Sequence, residues 1–357
     1  MAHGTVQVTP AQLLRYRARV SHLDARLPPG AFAEAAWGGL QDSVPRSGVI
    51  SLHARVEATK SDSWEDPSLV QIWFRGGADY IVPRDDVGIF TLGSYPRDPE
   101  RAADLERVAD EVHELTDGRM TPSRELPRDV GGRPLRIRNT SITGRVHIRW
   151  DAANIWVIPV ERPAIEVEDA RGELARRFLH WHGPATVRRL ATWTGVEPRD
   201  AAETWRSIEA ELVPVEIDGV GEVRSMLAAD IEDLRSAAPV EGVRLLPMDD
   251  PFTKLDHDLL VPDVALRARA LPKVGQSPGY IPGAVLVDGE IVGAWQRQQR
   301  KVTVHPFSAL PARVREAIEA EALTFPIAGA SEPSVRWARA GGAPAASRSR
   351  RRSASHR

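Results

Sequence analysis

Between Asp169 and His182 the apolar residues Leu174, Phe178 and Trp181 recur at helical spacing with basic groups between them, which predicts an amphipathic helix. Gly183-Pro184 ends it. A second, shorter helix is predicted from Ala185 to Thr194, turning Val187, Leu190, Ala191 and Trp193 inward, with Gly195 just past its end. The third runs from about Pro198 to Leu212. Val213 to Ile217, an Asp218-Gly219 turn and Gly221 to Leu227 then predict a hairpin. Three helices closed by a hairpin is the order of a winged helix-turn-helix, assigned to residues 166–232.

Earlier stretches repeat this order more weakly. Helices are predicted over Pro10 to His22, Ala31 to Trp37 and Val49 to Ala58, followed by a strand, a Gly76-Gly77 turn and a strand from Leu69 to Pro83. A long helix from Pro99 to Thr116, segments Pro122 to Asp129 and Leu135 to Thr143, and a hairpin from Val146 to Val160 form the next group. Past residue 232 the pattern turns to strand: Val243 to Pro247, then a hairpin from Ala284 to Trp295 about Asp288-Gly289, then Val302 to Phe307. A final helix spans Pro311 to Leu323. The expected fold class is therefore α+β, with tandem winged helix-turn-helix units over 1–95, 96–165 and 166–232 and a C-terminal mixed, β-rich α/β domain over 233–337.

Length and composition narrow the function. A chain of 357 residues suits several domains, and its 42% hydrophobic content is enough for buried cores. No apolar run approaches the ~20 residues that span a bilayer, so no membrane association is expected. No charged-then-apolar leader opens the chain, and the expected compartment is the cytoplasm. The absence of cysteine excludes disulfides and thiolate metal sites. Net charge is only −2, which argues against coating nucleic acid by charge alone. Its positive charge is nearly all arginine, with lysine only at Lys60, Lys254, Lys273 and Lys301. Arginine suits bidentate phosphate contact, although a GC-rich genome gives the same bias. The one basic run, Ser347 to Ser353, lies in a tail (338–357) expected to be disordered and to attract polyanions without regard to sequence.

Duplex DNA is the expected partner, met by a protein expected to be monomeric. In a winged helix the third helix enters the major groove, so Arg199, Arg206 and the wing's Arg224 are expected to meet phosphates, as are Arg75, Arg188, Arg297 and Arg300. Glu197, Asp200, Glu203, Glu209 and Glu211 outnumber the arginines of the third helix. That balance keeps open a reading in which the helix packs or binds protein, because fold alone does not fix function.

His182 to Thr186 with Trp193-Thr194-Gly195 resembles the "FGPAT … W-G" signature of the AlkZ-type (YcaQ/AlkZ-like) bacterial DNA glycosylases. Arg244 to Pro247 with Asp249, Pro251 and Phe252 resembles the family's "LLP-FD-P" segment, and Leu286 to Gly289 with Val292 to Trp295 its "LVDG-VVG-W" hairpin. Leu13 to Leu23, Gly39 to Gln41 and Ser51 to Arg55 resemble its opening, so the similarity covers about residues 10 to 325. The resemblance implies tandem winged helices on duplex DNA and, in the enzymes, removal of bulky N-alkylated purines without cofactor or metal. Alkylation at a ring nitrogen makes the base a good leaving group. The enzyme must then stabilise the sugar cation and place a water at its anomeric carbon.

In the family's enzymes a Gln-x-Gln or Gln-x-Asp pair does this. The matching triplet is Gln41-Asp42-Ser43, which keeps the first glutamine and puts serine at the second position. Asp42 takes over only if the local register slips by one residue. A second departure is Arg75-Gly76-Gly77-Ala78-Asp79, with aspartate where "RGT-x-H" has histidine. A non-enzymatic DNA-binding regulator or lesion-shielding protein is therefore the alternative. Plainer roles exist for each residue: Gln41 as a cap, Asp42 or Ser43 as a turn pair before Val44-Pro45, Asp249-Asp250 as a turn, and His180-x-His182 at a helix end with no metal. Of the ten tryptophans, one is a candidate wedge for the base stack.

Overall fold

The computed structural model describes residues 4–127, 130, 137–270, 273–274, 277–278, 282–329 and 333–341. The basic run Ser347 to Ser353 and parts of the segments expected over Pro122 to Asp129 and Leu135 to Thr143 lie outside them. The chain divides into two compact units, Met1–Val240 and Glu241–Arg357.

In the first unit, β1 (Val6–Val8) leads into α1 (Pro10–Val20), which begins with a reciprocal cap between Thr9 and Gln12 and a proline in its first turn. Short α2 (Phe32–Ala35) and β2 (Leu40–Gln41) precede α3 (Ser47–Arg55). Then come β3 (Leu69–Phe74), β4 (Ala78–Pro83), α4 (Val87–Leu92) and α5 (Pro99–Thr116), the last capped by Asp98. β5 (Thr121–Pro122), β6 (Val146–Trp150) and β7 (Ile155–Pro159) complete a six-stranded sheet in the order β2-β4-β3-β6-β7-β5. The hairpins of the first two expected groups thus share one sheet, because β3 also pairs with β6 at Gln71 and Ile148. One face buries Leu40, Leu69, Ile81, Trp73 and Ile148 in two hydrophobic clusters.

The segment expected to form a winged helix has helices Val167–His182, Val187–Thr194 and Pro198–Ser207, then β8 (Leu212–Ile217) and β9 (Arg224–Leu227). Gly195, at φ 78°, ends the middle helix in the left-handed conformation that glycine adopts without steric cost. The third helix stops at Ser207, short of the expected Leu212, and a 3-10 turn over Glu209–Glu211 leads into the hairpin. β1 adds a third strand, parallel to β8. α1 joins the same assembly: the Tyr16 hydroxyl donates to the His180 carbonyl at 2.8 Å, and the buried Arg17 guanidinium donates to the Gly183 carbonyl at 3.2 Å. Residues expected to open the first winged unit therefore pack against the third.

The second unit holds a five-stranded sheet in the order Val243–Leu246, Gly283–Val287, Glu290–Gln298, Lys301–Pro306, Ser334–Trp337, with the helix Ala312–Leu323 packed on it. Trp295 donates from Nε1 to the Leu246 carbonyl at 2.8 Å. Its ring fills the space where any β-carbon on Gly283 would sit, at 2.5 Å. Asp250 caps the short turn Pro251–Thr253, as the turn reading of Asp249-Asp250 expects. Among the described residues no helix is long and apolar enough to cross a membrane.

Candidate active site and nucleic-acid interface

Gln41 is the last residue of β2 and stands directly opposite Tyr80 on β4. Strand alternation puts the two side chains on one face, and the Tyr80 hydroxyl donates to Gln41 Oε1 at 3.2 Å. The Gln41 amide donates to Ser43 Oγ at 3.3 Å, and the Asp79 backbone amide donates to the same oxygen at 3.1 Å. Gln41 and Ser43 are both half-buried, so the pair is held but open.

Asp42 faces the other way and has no exposed surface. Its carboxylate accepts from the Gly48 amide at 2.9 Å, from Arg46 Nη1 at 3.1 Å and from Gln71 Nε2 at 3.4 Å. Gln71 Oε1 in turn accepts from the Trp150 amide at 2.7 Å, and Arg46 returns to the Trp150 carbonyl. These contacts close a ring beneath the Gln41–Ser43 loop. Burial outweighs the Arg46 guanidinium and pushes the Asp42 pKa up to about 7. The register slip that would turn Asp42 outward is absent, since its amide bonds to the Asp79 carbonyl at 2.7 Å in the β2–β4 pairing. Asp79, in the place of the family's histidine, is also buried, and burial raises its pKa.

Arg46 adopts φ 65° and stacks over Trp64 at 4.0 Å and Trp150 at 5.4 Å. Arg46, Gln71 and Tyr80 were not among the residues sequence reasoning singled out. The one available signal was strand alternation, which pairs position 80 with 41 and sends 71 and 79 to the face of 42.

The arginines expected at DNA separate into three groups. Arg188 and Arg199 keep 78% and 77% of their side chains exposed, and Arg206, seven residues after Arg199 on the third helix, is exposed as well. The acids around that helix are largely engaged: Glu197 with Arg101 at 3.3 Å, Glu203 with Arg97 at 3.1 Å and Glu211 with Arg176 at 2.7 Å. Arg224 corrects the expectation for the wing. Its side chain is 1% exposed and lies 3.3 Å from Glu222, so it anchors the hairpin from inside and has no path to a phosphate. Arg75 is half-buried and donates from Nε to the Thr192 carbonyl at 2.9 Å. In the second unit Arg297 and Arg300 lie about the Gln298–Lys301 turn and donate to the carbonyls of Gln299, at 2.8 Å, and Ile327, at 3.4 Å. His180 pairs with Asp230 at 3.0 Å, and no cluster of three metal-ligating side chains occurs among the described residues.

Comparison with known proteins bears on this geometry. The chain is 26% identical over 164 residues to an interstrand DNA cross-link repair glycosylase of Streptomyces sahachiroi. That alignment covers 44% of this chain and 42% of the relative, so the chain spans less than half of it. The solved structure of Streptomyces sahachiroi DNA glycosylase AlkZ superposes with a TM-score of 0.74 over 93% of this chain and 100% of that one, at 20% identity, which shows the fold. Residues 35–325 match the family of AlkZ-like DNA glycosylases, and the chain belongs to that family.

Proposed function

We propose that the chain is a monofunctional DNA glycosylase that binds duplex DNA and excises bulky N-alkylated purines, with Gln41 and Ser43 as the group that places the attacking water. The observation that carries this reading is the shared orientation of the two side chains, fixed by Tyr80 and the Asp79 amide. Gln41 Oε1 accepts a hydrogen bond from Tyr80 and its amide donates to Ser43, which fixes the glutamine beside the serine hydroxyl. Ser43 Oγ accepts from two donors and keeps its own proton to offer. A water held between them is oriented toward an anomeric carbon by two neutral side chains. The cationic base supplies the leaving ability, so the protein's task is placement and desolvation. Family membership and the cross-link repair relative support DNA as substrate and a bulky lesion as target.

One observation favours the rival, a binder that has lost excision: the carboxylate between Gln41 and Ser43, that of Asp42, is turned inward and fully buried. Duplex carrying an N7-alkylguanine separates the two readings. The glycosylase reading expects abasic sites from the wild type, a loss of about 100-fold in excision for Gln41→Ala with duplex affinity kept within about 2-fold, and faster excision from Ser43→Gln. Silence of the wild type on every cationic purine adduct, and of Ser43→Gln as well, decides for the binder.

A further inference from the structure

A recess in the first unit lies between the β3–β4 turn and the turn that leads into the third winged-helix helix. Arg75 and Arg138 line it with Ser94 and Asn139. Ser94 is 7% exposed, and its hydroxyl has no hydrogen-bond partner among the described residues. A buried hydroxyl left unpaired costs free energy, so a ligand that satisfies it is favoured. Arg75 uses Nε on the Thr192 carbonyl and Arg138 uses Nη1 on the Gly77 carbonyl at 3.3 Å, so each engages one guanidinium nitrogen and both residues line the recess. Gly77 permits this approach: at φ +83° it has no β-carbon, and one would lie 2.7 Å from Arg138 Cβ. Gly76 beside it has nothing within 4 Å of its β-carbon position, so the mouth is open there.

The acids in the wall are already engaged. Glu197 pairs with Arg101 at 3.3 Å, and Asp200 accepts from the Arg97 amide at 3.3 Å. Arg75, Arg101 and Arg138 against these two carboxylates leave one net positive charge. Glu197 makes no side-chain cap, so the start of the Pro198–Ser207 helix also presents its positive end here.

We propose that this recess seats one phosphate of a duplex backbone, with Arg75 and Arg138 as its ion partners and Ser94 as a hydroxyl donor at its floor. Asp79 lies two residues after Gly77, at the start of β4, and its amide holds Ser43, so the seat and the candidate water-placing pair are linked through the β3–β4 hairpin. A phosphate clamped there fixes the strand relative to that pair. The inference rests on the duplex-binding part of the reading above and is independent of excision.

Undamaged duplexes carrying a single methylphosphonate, scanned one position at a time, test it by fluorescence anisotropy. One position is expected to weaken the wild type about 10-fold and to leave Arg138→Gln unchanged. Ser94→Ala is expected to weaken binding a few-fold with the same positional signature, and thermal melting checks that both variants fold. The deficit of Arg138→Gln should shrink about 3-fold as salt rises from about 50 to about 200 mM, the loss of one counterion-releasing contact. Inorganic phosphate should compete with the wild type more than with Arg138→Gln at matched ionic strength. Identical positional profiles for wild type and Arg138→Gln, with both binding the duplex, overturn the seat alone. Failure of the wild type to bind any duplex overturns both the seat and the wider reading.

Discussion

Asp42→Asn asks whether burial or ion pairing sets the protonation of the carboxyl beneath the Gln41–Ser43 pair. Burial is the largest influence and carries the pKa up to about 7, against the pull of Arg46 and the Gly48 amide. An unfolded aspartate titrates near ~3.9. The native state therefore holds a proton through a window from about pH 4 to about pH 7 in which the unfolded chain has lost it. Stability from this group is complete below the unfolded pKa and declines as pH climbs to the folded one. The whole window is worth on the order of 4 kcal/mol, at about 1.4 kcal/mol per unit. His147 runs the other way: burial lowers its pKa to about 4, so its contribution is present above the unfolded value and lost as pH falls. The two oppose each other in the wild-type curve, but His147 cancels in the difference between wild type and Asp42→Asn. Urea denaturation from about pH 5 to about pH 8 should show the variant's deficit growing as pH falls, by about 2 kcal/mol between pH 7 and pH 5. A deficit that is flat, or that grows toward pH 8, shows that the Arg46 pair prevails and that Asp42 is a carboxylate throughout.

The exposed arginines of the third helix should behave as phosphate contacts. Replacing Arg199 and Arg206 together by alanine is expected to lower duplex affinity and reduce the salt slope by about two, without moving the unfolding transition. An unchanged slope leaves that helix to packing or protein contact. Arg224→Met should do the reverse, because its guanidinium is buried beside Glu222: a loss of about 1 to 3 kcal/mol in chemical denaturation, with the salt slope intact. Gly77→Ala should destabilise the β3–β4 turn by about 1 kcal/mol or more, since it imposes φ +83° on a residue with a β-carbon against Arg138. Melting curves indistinguishable from wild type show that the turn relaxes.

Local periodicity carried most of the elements. α5 spans Pro99–Thr116 as its apolar spacing and flanking residues predict, and the strands Val243–Leu246, Gly283–Val287 and Lys301–Pro306 begin and end within about a residue of the predicted segments, whereas Ser334–Trp337, the fifth strand of that sheet, was not predicted. The sequence did not disclose which strands meet. β1 is three residues long, too short for a periodic signal, and its place beside β8 depends on a partner 209 positions away. The merger of two hairpins through Gln71 and Ile148 is likewise a tertiary choice. At the site, charge misled where burial decided: Arg224 and Asp42 have the chemistry of surface contacts but sit in the interior, each with a counter-charge that composition could not assign to it.

The position of Asp42 changes how the serine at 43 is weighed. Had the aspartate faced the pocket, it would have supplied the negative charge that a glutamine–serine pair lacks, and the substitution at 43 would have mattered little. Facing inward, it instead ties the loop to Arg46, Gln71 and Trp150. The ring constrains the backbone on both sides of position 42, and thereby the direction of Gln41 and Ser43. A short side chain on a fixed backbone can still orient a water, whereas on a loose loop it loses that ability to thermal motion. On the glycosylase reading proposed above, excision therefore depends on the rigidity of this loop more than it would with a longer Gln-x-Gln pair. Arg46→Lys, which gives up the planar stack on Trp64 and Trp150, follows as the substitution whose effect should be larger with Ser43 present than after Ser43→Gln.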